Sequence, residues 1–250
     1  MHLSALILTN FKSHRDSSFR FSDRVNLLYG LNGSGKTNVL DAIYCLATTK
    51  SYFGIPNSKL ITHGASFYRL EGSLKKQSTV MKLVEKYEIG RKKVVEKDGK
   101  AYEKLGQHIG LMPVVMITPD DVVLVNGLNQ DRRRFVDQAL AQTDNSYLTN
   151  LIDYNRLLRQ RNAFLKSNHD PDPTLLDSYD VRMAKPAEYV TKSRENFFSS
   201  FSDQLAYYYM TIAEAQEDVS IVYQSSLSTN AYVELAHLNR QRDLLLKRTE

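Results

Sequence analysis

A single cysteine, Cys45, excludes an internal disulfide framework and points to a reducing compartment. No apolar run reaches membrane length, and the N-terminal "MHLSALILTNFK" lacks both the basic n-region and the apolar span of a secretory signal. The six histidines are scattered with no metal-ligand spacing, and no nucleophile–base order can be argued for a hydrolase. Charge of either sign is not extreme. The net +5 and pI near 9.1 are consistent with a polyanionic partner without requiring one. What remains is a 250-residue chain whose 42% hydrophobic content is enough for one large core or two modest ones. A folded cytoplasmic protein is the expectation, and Cys45 is expected inside it.

The most informative stretch is "YGLNGSGKTNVLDAIYCL", residues 29–46. Gly30, Leu31, Asn32, Gly33, Ser34, Gly35, Lys36 and Thr37 match G-x-x-x-x-G-K-[ST] without substitution. Successive backbone N–H groups of such a loop point into one concavity at a helix N-terminus, where phosphate oxygens are solvated by fixed donors. Glycine is required wherever a Cβ would block the positive-φ turns or the approach of main chain to phosphate. Lys36 would reach the β and γ phosphates, and the Thr37 hydroxyl would ligate Mg²⁺. The flanks agree: Val25–Tyr29 is an apolar run suited to a buried strand, and Val39, Leu40, Ile43, Leu46 and Ala47 recur at helical spacing after the loop. The bound ligand expected is a nucleoside triphosphate.

Alternation predicts further strands at Leu3–Thr9, Ser18–Phe21, Phe67–Gly72 and Thr79–Ile89, with a hairpin turn at Lys97-Asp98-Gly99-Lys100. Residues 75–104 hold ten Lys or Arg against five Asp or Glu, which suits either a solvated hairpin face or a phosphate backbone. Met112–Ile117 reads as an apolar strand, but Thr118 and Pro119 separate it from Asp120 and Asp121, so it makes a poor Walker B motif. "DRRRFVDQAL" predicts a helix with Arg132, Arg133 and Arg134 in its first turn, against the helix dipole; an anionic partner, carboxylate pairing and a solvated run all suit it. Leu148, Leu151, Asn155, Leu158, Asn162 and Leu165 form a coiled-coil-like stripe, broken at "SNHDPDPT". Val190, Phe197, Phe201, Leu205, Tyr208 and Ile212 follow on a second stripe, so an antiparallel helical hairpin is expected, its aromatics serving packing more than base stacking.

Six segments, in order, resemble the RecF family of bacterial recombination-mediator ATPases, related to SMC heads and ABC ATPases. They are "LILTNFKSHRDSSFRF", "NLLYGLNGSGKTNVLDAIYCLATTKSY", "ITPDDVVLVNG", "DRRRFVDQAL", "YNRLLRQRNAFLK" and "LNRQRDLLL". The resemblance implies an α/β P-loop NTPase of ABC/SMC-head type with an inserted helical-hairpin lobe. Its expected boundaries are an ATPase lobe over 1–143, a hairpin lobe over 144–215 and a return toward the ATPase lobe over 216–250. It also implies ATP and Mg²⁺ as cofactors, single-stranded or gapped duplex DNA, RecO and RecR as partners, an ATP-dependent homodimer if the chain were complete, recombinase loading at gaps during repair, and the SOS response. Asp120 and Asp121 occupy the segment where such heads place a γ-phosphate-sensing loop. Three departures stand out: Phe53 where an arginine is expected, Tyr179 where a tryptophan is expected, and Lys247 near an expected glycine.

The family's signature segment, Walker B strand and water-positioning acid occur nowhere in these residues. The chain is therefore expected to bind ATP yet hydrolyse it slowly or not at all alone, as the N-terminal part of a RecF-like protein, with uncovered sheet neighbours that favour self-association or poor solubility. The competing readings are a small P-loop kinase, against which the β segment before the loop argues, and a catalytically dead interaction module.

Overall fold

The computed structural model describes residues 1–167, 171–213 and 219–249. It divides into two units, 1–128 and 129–250. Residues 168–170 of the expected helical break, and 216–218 and 250 of the expected third segment, lie outside the described residues.

The first unit is built on an antiparallel sheet in the order β2-β1-β3-β4-β5-β6. Its strands are β1 (His2–Phe11), β2 (His14–Arg20), β3 (Phe67–Lys76), β4 (Thr79–Glu88), β5 (Val94–Lys97) and β6 (Lys100–Ala101). The expected hairpin turn is present: Asp98 and Gly99 both have positive φ, 50° and 79°, the signature of a type I′ connection. One sheet face presents Leu6, Leu8, Tyr68, Leu70, Leu74 and Leu83 to helix α1 (Lys36–Thr48), which buries Val39, Ala42, Cys45, Leu46 and Ala47 against them. Each large apolar side chain buried there contributes about 1.5–3 kcal/mol. Helix and sheet meet closely at Gly72, where a Cβ would lie 2.2 Å from Leu46 Cδ2. Cys45 is core, as expected, and burial pushes its thiol pKa well up.

Two expected strands are not formed. Val25–Tyr29 and Met112–Ile117 run extended beside the core but join no ladder. Leu28 and Val114 pack on the core, while Val25 is 89% exposed, Leu27 81%, Val115 80% and Ile117 83%. A strand is defined by neighbours that accept and donate its backbone bonds; no described segment offers them here, so hydrophobicity alone does not make these runs strands.

The far end of α1 is held by polar groups that its sequence does not announce. His108 donates through Nε2 to the Leu46 carbonyl (2.6 Å), and Lys93 Nζ bonds the Thr49 carbonyl (2.9 Å) and Glu85 Oε1 (2.8 Å). Glu85 also accepts from the Tyr68 hydroxyl at 2.6 Å and is fully buried, as is His108. Among the described residues Glu85 Oε2 and His108 Nδ1 have no hydrogen-bond partner.

The second unit contains α3 (Asn129–Thr143), α4 (Asn145–Ser167), α5 (Pro173–Ala213) and α6 (Tyr232–Leu246), after the single turn α2 (Val123–Asn126) that ends the first. Antiparallel pairing of α4 and α5 is shown by Arg161 meeting Asp180 while Tyr147 meets Arg194. The buried face of α4 departs from the expected stripe: it carries Tyr147, Leu157, Arg161 and Leu165, whereas Asn155 is exposed. The physical cause is Arg161, wholly buried because Asp180 (2.8 Å), Asp243 (2.7 Å) and Thr249 Oγ1 (2.8 Å) receive its guanidinium. Arg240 adds bonds to Asp180 (2.8 Å) and Asp177 (2.5 Å). On α5, Val190 is buried, but Tyr208 and Ile212 at the far end of the expected stripe are exposed. Lys247 ends α6 with φ 51°, the left-handed conformation glycine favours.

Gly72→Ala should destabilise the first unit by about 1–3 kcal/mol in urea unfolding, and the penalty should shrink in a Leu46→Ala background because the clash is with that side chain. Burial holds the His108 pKa below its ordinary 6.5, partly offset by the Leu46 carbonyl and the Glu85 carboxylate. Below about pH 7 the unfolded chain therefore takes up a proton that the folded form refuses. Stability of the first unit should fall as pH drops from about 7 to 5, by up to about 1.4 kcal/mol per pH unit. His108→Gln should flatten that part of the slope.

Candidate functional site

The loop between Tyr29 and α1 adopts left-handed or otherwise glycine-type backbone at three places: Gly30 φ 145°, Gly33 φ 80° and Gly35 φ 92°. Gly35 is the N-cap of α1, with no side-chain cap on the helix. The Asn38 and Val39 N–H groups turn back to the Gly35 carbonyl (2.9 and 3.1 Å), so those of Lys36 and Thr37 are left to an outside acceptor, and the helix dipole favours an anion there. Lys36 Nζ folds back to the carbonyls of Gly30 (2.9 Å) and Leu31 (2.8 Å), holding the loop closed on itself. A phosphate would compete for that ammonium. Leu31, Asn32, Gly33, Ser34 and Thr37 are exposed, so the Thr37 hydroxyl faces solvent at the start of the helix.

The turn between β1 and β2 forms one wall of this loop. His14 Nε2 donates to the Gly35 carbonyl (3.1 Å), its Nδ1 meets Ser17 Oγ (3.0 Å), and Asn38 Nδ2 bonds Ser13 Oγ (2.8 Å). A Cβ on Gly35 would lie 2.6 Å from both His14 Nε2 and Ser13 Oγ, so this glycine is demanded by clearance as well as by φ. Asn10 (φ 51°) and Lys12 (φ 50°) accept left-handed backbone to bring the turn into place. The site pattern in the sequence did not include Ser13, His14 or Asn38. The only signal of Ser13 and His14 was "NFKSH" in the opening segment of the family resemblance, and of Asn38 its place directly after Thr37 in the second segment.

A fully buried carboxylate, Asp41, lies in the second turn of α1. It accepts from Lys12 Nζ (2.6 Å), Ser51 Oγ (2.9 Å) and the Tyr52 N–H (2.8 Å). The Lys12 ammonium also sits 5.2 Å from the ring of Phe53, so the residue standing in for an expected arginine stacks against a cation.

Of the remaining candidates, Asp121 is engaged. Its Oδ1 accepts from the Tyr52 hydroxyl, and its Oδ2 from Thr118 N (2.5 Å) and Thr118 Oγ1 (3.0 Å), completing a capping box on the turn Pro119–Val122. Partial burial alone would raise its pKa, but the bonds from Tyr52 and Thr118 hold the carboxyl below its ordinary range. Asp120 is exposed. Arg132, Arg133 and Arg134 belong to the second unit; all three are exposed in the first turns of α3, and Arg132 donates to Asn129 Oδ1 (2.9 Å). In the basic stretch 75–104, Lys82, Lys86, Arg91 and Lys93 are ion-paired with Glu71, Glu96, Glu88 and Glu85. Among the described residues no cluster of His, Cys, Asp or Glu could hold a metal, and no helix is long and apolar enough to cross a membrane.

Comparison with known proteins gives a consistent picture. A family model described as an AAA domain matches residues 5–250. The DNA replication and repair protein RecF of Flavobacterium johnsoniae is 36% identical over 252 residues, covering all of this chain and 70% of that protein. RecF of Porphyromonas gingivalis strain W83 is 37% identical over 248 residues, covering 98% of this chain and 68% of the relative. Among solved structures, the recombination mediator RecF-ATPrS superposes with a TM-score of 0.92 at 24% identity, covering 100% of this chain and 70% of that one. RecF-ATP superposes with a TM-score of 0.89, also at 24% identity. The fold class is therefore that of an AAA-type P-loop NTPase with RecF-like architecture.

Gly33 and Gly35 separate strain from clash. A Cβ on Gly33 meets nothing within 4 Å, so Gly33→Ala carries backbone strain alone, about 1–2 kcal/mol. Gly35→Ala adds the collision with His14 and Ser13 and should weaken binding of a nucleoside triphosphate at least about tenfold. Calorimetric titration of the two variants should rank them in that order.

Proposed function

Because the chain belongs to the RecF family of DNA replication and repair proteins, we propose that it binds ATP with Mg²⁺ in the loop Gly30–Thr37 and couples that binding to DNA during recombinational repair. The observation that carries this reading is the unbroken phosphate loop at the uncapped start of α1, with Lys36 and Thr37 on its first turn. When bound, Mg²⁺ neutralises the phosphates. Thr37 would hold the metal, Lys36 would bind the β and γ oxygens, and the N–H groups of Gly33, Gly35 and Lys36 would line the cradle.

The DNA in this reading is single-stranded or gapped duplex, and the exposed Arg132–Arg134 are favoured over the 75–104 stretch as its contact, since four of that stretch's basic residues are already paired. The distal half of α5 is disfavoured: no Lys or Arg occurs from 195 to 239. ATP-dependent homodimerisation of the complete protein, recombinase loading at gaps, a place in the SOS response, partnership with RecO and RecR and a cytoplasmic location complete the proposal by family analogy. A γ-phosphate-sensing role for Asp120 and Asp121 is retained for their segment. ATP turnover by these 250 residues is slow in this reading, because no apolar strand among them ends in a Walker B carboxylate.

Lys36→Ala should abolish ATP binding in calorimetry; unchanged affinity would sink the assignment. DNA affinity should fall steeply with salt, and alanine at Arg132, Arg133 and Arg134 together should reduce the log–log slope by about 2–3. A flat salt response in the unsubstituted chain would remove nucleic acid from the account.

A further inference from the structure

The phosphate-loop helix is tied to segment 118–122 by a run of specific polar bonds. Asp41 lies five residues after Lys36, about 7.5 Å along the helix axis. Its carboxylate, fully buried, fixes Ser51 and the backbone of Tyr52. The Tyr52 ring then packs edge-on against Tyr44 of α1 (5.1 Å between centroids) and against Phe53 (5.4 Å). Its hydroxyl reaches Asp121, 69 residues away in sequence, which in turn closes the capping box with Thr118. Burial and the bond to Asp121 push the Tyr52 pKa up to about 12, so the hydroxyl remains a donor at every physiological pH.

Packing alone does not explain this choice of residues. A phenylalanine would supply the same ring contacts, as adjacent Phe53 does, and Asp121 needs only Thr118 to cap its turn. The hydroxyl, which also meets the Thr118 side chain, and the second carboxylate oxygen join the two segments. A further element stands at the other end of the connection: Lys36 is bonded to the Gly30 and Leu31 carbonyls and must release them to reach a phosphate. Filling the loop would therefore exchange bonds at the start of a helix whose second turn is anchored through Asp41.

We propose that Tyr52 is a positioning residue whose hydroxyl, bonded to Asp121, couples filling of the phosphate loop to the order of segment 118–126. The inference rests on the reading of Gly30–Thr37 as an ATP site. By linkage the coupling is reciprocal, so loosening the joint weakens ATP binding as well as silencing the distant segment.

Hydrogen exchange of the whole chain, with and without ATP and Mg²⁺, tests it alongside ATP affinity. In the unsubstituted protein, ATP should slow exchange at residues 30–37 and at 118–126. In Tyr52→Phe the protection at 30–37 should persist, that at 118–126 should vanish, and the ATP dissociation constant should rise about fivefold. Asp121→Ala should do the same, and the double variant should bind ATP no worse than either single one, because both break one joint. Protection at 118–126 that survives Tyr52→Phe, or additive losses in the double variant, would overturn the proposal. So would protection confined to 30–37 in the unsubstituted chain. Absence of protection even at 30–37 would overturn the ATP reading, and this inference with it.

Discussion

The first unit depends on how helix α1 is held. Its N-terminus carries no side-chain cap, and an uncapped helix end forgoes about 1 kcal/mol of local stabilisation. The helix is instead secured elsewhere: by Leu46 and its neighbours pressed onto the sheet where Gly72 lets them in, by buried Asp41 on its flank, and by His108 and Lys93 on its last carbonyls. These contacts fix the helix although its N-terminal end is uncapped.

Buried charge recurs as the means of fixing geometry in both units. Asp41 has Lys12, Glu85 has Lys93 and Tyr68, and Arg161 has Asp180 and Asp243. Ion pairs removed from water contribute little net stability, because desolvation offsets most of their attraction. What they impose is uniqueness: a guanidinium shared by α4, α5 and α6 tolerates one arrangement of those helices, whereas leucines in its place would accept several. In the first unit the same device sets the loop after α1, and with it Tyr52, relative to the phosphate-loop helix.

The phosphate loop was legible from residue types and spacing, because every constraint on it is local: positive φ, a helix start, a lysine and a hydroxyl within eight residues. The hairpin at Asp98-Gly99 was legible for the same reason. The stripe on α4 was misplaced at Asn155 and Arg161 because a charged residue reads as solvent-facing until its partners, 19 and 82 residues away, are known. Val25–Tyr29 and Met112–Ile117 were read as strands because apolar runs imply burial; whether such a run becomes a strand depends on a neighbour, and no local pattern reports that.

The sequence by itself determined the phosphate-loop pattern and the helix after it, the hairpin at Asp98-Gly99, the paired helices α4 and α5, and, through six ordered segments, the family. Only the tertiary structure decided that Ser13, His14 and Asn38 wall the loop, that Asp41 is a buried anchor, and that Asp121 is bonded to Tyr52. The division follows from distance along the chain. Backbone conformation and helix polarity are dictated by a few consecutive residues, whereas burial of a charge and closure of a polar network are properties of groups that meet only once the chain has folded.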